Sequence, residues 1–169
     1  MSSKKWFNDY FDSIYSYILL QVGDRQTAED LTQETFLKVV KKAHKFRGDS
    51  SVQTWIFRIA YTTTMSYFRK KNPLTYYFDL SIHSNSQPSA EETVLLDLQE
   101  KHFYEALYRL KKNYQQVILL RKIQGLSTKE VSSILSWSEG KVKMSLSRAL
   151  TAFKKELEKG GITNETLIR

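Results

Sequence analysis

Hydrophobic residues along this chain recur with a helical period almost everywhere they recur at all. Phe7, Phe11, Ile14, Ile18 and Val22 fall three or four apart, and Gly23 stands where that stripe stops. Such spacing predicts one amphipathic helix closed by a glycine that can take a left-handed conformation. Asp24 is placed to cap a second helix running to about Lys45, with Ala28, Thr35, Phe36, Val39 and Ala43 on its core arc. "FRGDSS" breaks the pattern. Ser50 and Gln53 then suggest a capping box for a third helix, which ends near Lys71 because Asn72-Pro73 cannot continue it. From Pro73 to Ala90 no period survives, and residues 73–90 read as an acidic linker. Helical signals resume near Glu91 and run through "LLDLQEKHFYEALYRL". No strand alternation is convincing. The expected fold is all-α: two small helical domains, 1–72 and 91–169, joined by that linker.

The third helix is apolar on two sides. Val52, Trp55, Ile56, Ile59, Thr63 and Tyr67 share one arc, while Phe57, Tyr61, Met65 and Phe68 lie opposite, beside Arg58 and Arg69. A helix of this kind needs two covers. One is a neighbouring helix. The other is either a further part of the fold or exposed bases stacked on the aromatic rings with arginines on the backbone.

Near the C-terminal end, "GLSTKEVSSILSWSEGKVKMSLSRALTAFKKEL" has the order of a helix-turn-helix. Gly125 ends one helix, Ser127 and Glu130 form a capping box, and "SWS" makes a short turn with Trp137 plugged into the core. Val142, Leu146, Ala149, Phe153 and Leu157 then mark the packed side of the last helix. At about 100° per residue, Lys141, Met144, Arg148, Thr151 and Lys155 fall opposite, flanked by Lys143, Ser145 and Ser147. One face to pack and one face of donors is what a major-groove reader requires.

Charge sharpens this division. The net charge is +8, but residues 72–100 hold no Lys/Arg and 5 Asp/Glu, whereas residues 101–169 hold 14 Lys/Arg against 6 Asp/Glu. Two basic blocks flanking an acidic strip point toward a polyanion. The second helix runs against that trend: Asp30, Gln33, Glu34 and Leu37 share its outward arc. Asp30 and Glu34 would repel phosphate, and acid, amide and leucine together suit a basic, partly apolar protein surface. The chain has no cysteine, which removes disulfide scaffolds and thiolate metal sites. No run is long and apolar enough for a membrane span, and Met1–Trp6 lacks a signal-peptide core, so a cytoplasmic protein without direct membrane binding is expected. A DNA-binding regulator acting without polymerase would use only residues 101–169. A carboxylate-metal enzyme would have only Glu29, Asp30, Glu34 and His44 to draw on, without a Glu-x-x-His pair; His83 and His102 look incidental.

"AEDLTQETFL" (28–37) closely resembles the core-polymerase-binding segment of bacterial sigma factors. "FRGDSSVQTWIFRIA", "LLRKIQGLSTKEVSSIL" and "SEGKVKMSLSRAL" follow in the same order, so the chain resembles an extracytoplasmic-function (ECF) sigma factor with only domains two and four. The resemblance spans roughly Phe7 to Leu157. It implies that the protein binds core RNA polymerase, directs it to promoters and helps melt them, with no chemistry of its own and no cofactor. It implies that Asp30, Gln33, Glu34 and Leu37 meet the clamp helices of the largest polymerase subunit. Arg47, Ser50, Ser51, Gln53, Arg58, Tyr61 and Arg69 would serve the minus-ten element, where a flipped base is captured. Lys141, Lys143, Met144, Ser145, Ser147 and Arg148 would read the minus-thirty-five element. A cognate anti-sigma factor, often membrane-anchored in such systems, is a further implied partner. Tyr61, Thr62 and Ser66 replace the common Arg, Asn and Asp of similar proteins. Lys141 and Ser145 stand where threonine and arginine are common, and Lys111 where proline is usual.

Overall fold

A computed structural model of the chain describes residues 2–73 and 98–161. The expected linker 73–90, the helical restart near Glu91 and His83 lie almost wholly outside the described residues. Every regular element described is helical.

Helix α1 (Ser3–Val22) begins at Ser2, whose hydroxyl accepts from the Lys4 N–H, and ends at Gly23 with φ of 69°. That left-handed residue lets the chain reverse at once, and the Gly23 N–H closes on the Leu19 carbonyl. Asp24 then caps α2 (Arg25–Lys42), accepting from the Thr27 N–H at 2.8 Å. Thr27, through its hydroxyl first and this N–H second, holds the Asp24 carboxyl below its usual range. A 3₁₀ turn, Ala43–Lys45, carries α2 on to the end expected from the sequence. Helix α3 (Val52–Lys71) starts one residue later than the sequence suggested. Ser51, not Ser50, is its N-cap, and its Oγ accepts from the Thr54 N–H at 3.1 Å. The Ser50 hydroxyl instead donates to the Ser51 carbonyl, so a Ser50–Gln53 box does not form.

Helices α1, α2 and α3 bury Ile14, Ile18, Ala28, Phe36, Val39, Ile56 and Ala60 against one another. At the base of the 46–51 loop, the Trp6 ring meets both Phe46 (5.7 Å between centroids) and Trp55 (5.8 Å), and those two lie 5.2 Å apart. Trp55 therefore belongs to the core side, as its helical position implied. The Trp6 indole N–H is buried there without a hydrogen-bond partner.

The second half holds α4 (Leu98–Tyr108), α5 (Lys112–Ile118), α6 (Thr128–Leu135) and α7 (Glu139–Lys159). Helix α5 widens into a π turn over Leu119–Ile123 and stops at Gly125, again left-handed at φ 69°. Phe153 of α7 takes Phe103 of α4 edge-on.

Both expected halves form, but they do not keep separate cores. A single buried cluster runs from Trp6 through Phe57 to Leu119, Ile134 and Ala149. Phe57, on the supposedly open side of α3, is fully buried. The second cover of α3 in this structure is thus the C-terminal half, with α6 laid along α3.

Candidate nucleic-acid and polymerase interfaces

Three surfaces carry the residues singled out above, and each is built by a different local device.

The first is the outward face of α2. Asp30, Gln33, Glu34 and Leu37 are all exposed. Helical spacing puts them on adjacent turns while Ala28, Leu31, Thr35 and Phe36 turn inward. Leu37 is 62% exposed and Val40, one turn on, is 56% exposed. A hydrogen bond from the Gln26 amide reaches Asp30 at 3.0 Å, and Lys38 pairs with Glu34 at 2.8 Å while also donating to the Thr63 hydroxyl at 3.1 Å. The face is therefore fixed in shape, acidic at one edge and apolar at the other. Val40 is the residue that sequence reasoning missed. Its distance from the expected core arc was the only available signal.

The second surface is the loop Arg47–Gln53 and the outer side of α3. Arg47, Arg58 and Arg69 are exposed, whereas Ser50, Gln53 and Tyr61 are half-buried. Ser51 is committed to the cap: its hydroxyl donates to Thr54 Oγ1 at 2.9 Å while accepting the Thr54 N–H. Thr54 passes the chain on, donating to Glu130 Oε1 of α6 at 3.2 Å. Arg69 Nη2 donates to the Ser66 hydroxyl at 3.3 Å.

The third is the helix-turn-helix. The expected capping box is present: the Glu130 N–H donates to Ser127 Oγ at 3.1 Å, and the Ser127 N–H donates to Glu130 Oε2 at 2.7 Å. That backbone bond, with the Ser127 and Thr54 hydroxyls, lowers the Glu130 carboxyl from its usual range despite partial burial. The tight turn puts Ser136 at φ 57°, a rare value for a residue with a side chain. The Ser132 hydroxyl ties the turn by donating to the Trp137 carbonyl. Trp137 packs against the core, as expected, but stays half-buried, and its ring lies 4.3 Å beneath the Lys141 ammonium. Ser138 caps α7 through the Lys141 N–H. Val142 and Ala149 are buried, and Lys141, Lys143, Met144, Ser147 and Arg148 are exposed, with Ser145 half-buried between them. The polar face predicted from the helical wheel is thus exposed to solvent.

No helix among the described residues is long and apolar enough to cross a membrane, and among them no group of three His, Asp or Glu side chains could hold a metal ion.

Against known proteins, the sigma-70 region 2 family matches residues 6–73 and the sigma-70 region 4 family matches residues 102–153. The RNA polymerase sigma factor YlaC of Bacillus subtilis (strain 168) is 30% identical over 158 residues, covering 90% of both chains. The ECF RNA polymerase sigma factor SigX of the same organism is also 30% identical over 158 residues, covering 90% of this chain and 81% of its own. Among solved structures, the sigma factor RpoE in complex with the anti-sigma factor NepR from Bartonella quintana superposes with a TM-score of 0.73 at 24% identity, covering 92% of this chain and 96% of that one. CnrH in complex with the cytosolic domain of CnrY gives 0.71 at 18% identity, covering 93% and 88%. The two structures share the fold described above.

Proposed function

The chain belongs to the extracytoplasmic-function sigma factors of bacterial RNA polymerase, and on that premise we propose how its three surfaces divide the work of initiation. The protein binds RNA polymerase and directs promoter-specific transcription initiation. Asp30, Gln33, Glu34 and Leu37 on α2 meet core polymerase at the clamp helices of its largest subunit. The observation that carries this assignment is the segregation of charge: an acidic, apolar face on α2 cannot serve phosphate, while the open face of α7 carries Lys141, Lys143 and Arg148.

On α7, Arg148 is suited to a bidentate contact with guanine, Met144 to a thymine methyl, and Lys141, Lys143, Ser145 and Ser147 to base edges or phosphate at the minus-thirty-five element. Arg47, Ser50, Ser51 and Gln53, with Arg58, Tyr61 and Arg69, serve the minus-ten element. There a flipped base enters the loop, and the arginines hold the strand. Domain two then spans 1–72 and domain four 91–169, with 73–90 between them. Such a factor works in the cytoplasm, beside the polymerase, and performs no covalent chemistry of its own. The solved relatives held by NepR or CnrY support an anti-sigma partner for this chain as well.

Run-off transcription with purified core enzyme on a pool of genomic promoters tests the assignment. Initiation dependent on both core and this chain, at promoters sharing two spaced elements, is the expected result. Sequence-specific DNA binding without polymerase-dependent initiation would instead make it a regulator of another kind.

A further inference from the structure

A lysine is poorly placed at position 141 as far as its own helix is concerned. Helix α7 begins with the Ser138 cap and Glu139, so Lys141 is the third residue of the first turn. The N–H groups there lack helical partners and carry partial positive charge, beside which a cation is disfavoured. In the matching place of α6 stands Glu130, which closes a capping box. An ammonium accepts no hydrogen bond, so Lys141 cannot close one for α7.

What Lys141 meets instead is Trp137. Its ammonium lies 4.3 Å from the ring centroid, within the range where the negative face of an indole attracts a cation. The ring beneath it is held on every side. The Trp137 N–H donates to the Ser132 carbonyl at 3.1 Å, and the Trp137 carbonyl accepts the Ser132 hydroxyl. Ser136 before it is left-handed, and Ser138 after it is tied to the Lys141 N–H. The side chain packs against the buried cluster yet remains only half-buried. Backbone and core thus hold the indole still, and the indole holds the ammonium.

That ammonium belongs to the stripe of α7 best placed for bases. At about 100° per residue, Lys141, Met144 and Arg148 fall within about 60° of arc, whereas Lys143 lies about 100° or more outside it. All four are exposed. A recognition helix lays such a stripe on base edges, with its first turn foremost, and phosphates take contacts at the flanks. An ammonium seated on a ring keeps N–H groups turned away from that ring. Two donors held in one place match the O6 and N7 acceptors that guanine presents together in the major groove. An unheld lysine is a mobile point charge on a flexible stem, which suits a phosphate as well as a base. A held one also has less side-chain freedom to lose on binding.

We propose that Trp137 is a positioning residue for promoter reading: by holding the Lys141 ammonium over its ring, it makes that lysine the reader of one guanine in the minus-thirty-five element rather than a general phosphate contact. Trp137 acts through Lys141 and need not touch DNA. The inference rests on the assignment of α7 to that element.

The test uses the full chain with purified core polymerase, on one promoter whose minus-thirty-five segment is randomised, with run-off yield read for each sequence. The unsubstituted chain should favour guanine at one base pair that Lys141→Gln makes indifferent, a loss of about fivefold or more. Trp137→Leu keeps the charge and should weaken that same preference, while yield from sequences lacking that guanine holds. Trp137→Phe keeps an aromatic face and should retain more of the preference. In the Lys141→Gln background, Trp137→Leu should have no further effect on it. If the leucine variant fails to fold by circular dichroism, tetrafluorotryptophan placed at position 137 alone keeps the shape of the ring but withdraws its electron density, and should weaken the preference in the same direction. Lys141→Gln lowering yield from all sequences alike would make that lysine a phosphate contact and overturn the proposal. So would a guanine preference that survives loss of the electron-rich ring, or a loss from Trp137→Leu that persists undiminished beside Lys141→Gln, which would mark a structural role only. Each of these results, with core-dependent run-off intact, leaves the functional reading standing; absence of core-dependent initiation by the unsubstituted chain would strike that reading, and this inference with it.

Discussion

Leu37 offers the most direct test of how the α2 face works. Complete burial of a leucine side chain contributes about 1.5–3 kcal/mol. With 62% of Leu37 still exposed in the free chain, about 1–2 kcal/mol remains to be gained from a partner, which is roughly 5- to 30-fold in Kd. Leu37→Ala should weaken core binding by that factor. Leu37→Asp combined with Glu34→Lys should weaken it further, since the first places a charge in the contact and the second reverses the charge of the group that now pairs with Lys38. Neither change removes a buried contact, so the melting temperature should hold to within a few degrees. The assay is competition between unlabelled variant and labelled protein for purified core, with binding of the minus-thirty-five duplex as the control that the other half is intact. Core affinity unchanged within twofold, in a folded protein, would refute the assignment of this face to polymerase.

Other surfaces give independent predictions. Arg148→Ala should cost about 1–3 kcal/mol at one position of the minus-thirty-five element and relax the preference there, whereas Lys143→Gln should weaken all sequences alike and lower the salt slope by about one; promoter-variant binding at several salt concentrations separates the two. Ser127→Ala removes the hydroxyl that accepts the Glu130 N–H and should cost about 1 kcal/mol, seen as a melting point roughly 2–4 °C lower. Lys112 is half-buried with its ammonium 3.4 Å over the Phe68 ring, and the loss of solvent there first, then the nearby Lys71 charge, depress its pKa from 10.5 to about 7. Unfolding would restore the ordinary value, so the folded chain binds fewer protons between the two values. Stability should therefore rise with pH from about 7 toward 10.5, stay level below 7, and lose this dependence in Lys112→Met; thermal unfolding across that range reads it.

Much of the local structure was legible because it depends on neighbours in sequence. The Gly23 stop, the Asp24 cap and the Ser127–Glu130 box each need only a few adjacent residues, and all three form. The same holds for the open face of α7, since helical geometry alone separates Lys143 and Arg148 from Val142 and Ala149. Ser50 and Ser51 could not be told apart, because either hydroxyl can cap and the loop's path decides between them. The second cover of α3 depends on residues far along the chain, and Phe57 carries the same apolar signal whether a base or a protein lies over it. Gln21 and Gln116 left no trace at all: an amide reads as surface until its partner, 95 positions away, is known.

Under the proposed assignment of the 47–53 loop to a nucleotide, the triangle of Trp6, Phe46 and Trp55 sets the terms on which it is held. Phe46 lies just before the loop and Trp55 in the first turn after it, and both rest on the same indole. The stems of the loop are thereby pinned before any DNA arrives, and only the few residues between them have conformational freedom left to lose. Ordering each free residue would otherwise subtract about 1–2 kcal/mol from the affinity of base capture. On the proposed minus-ten assignment, a ring in the core of the N-terminal half acts on promoter affinity through entropy. The buried indole N–H left without a partner is the enthalpic cost of that stiffness.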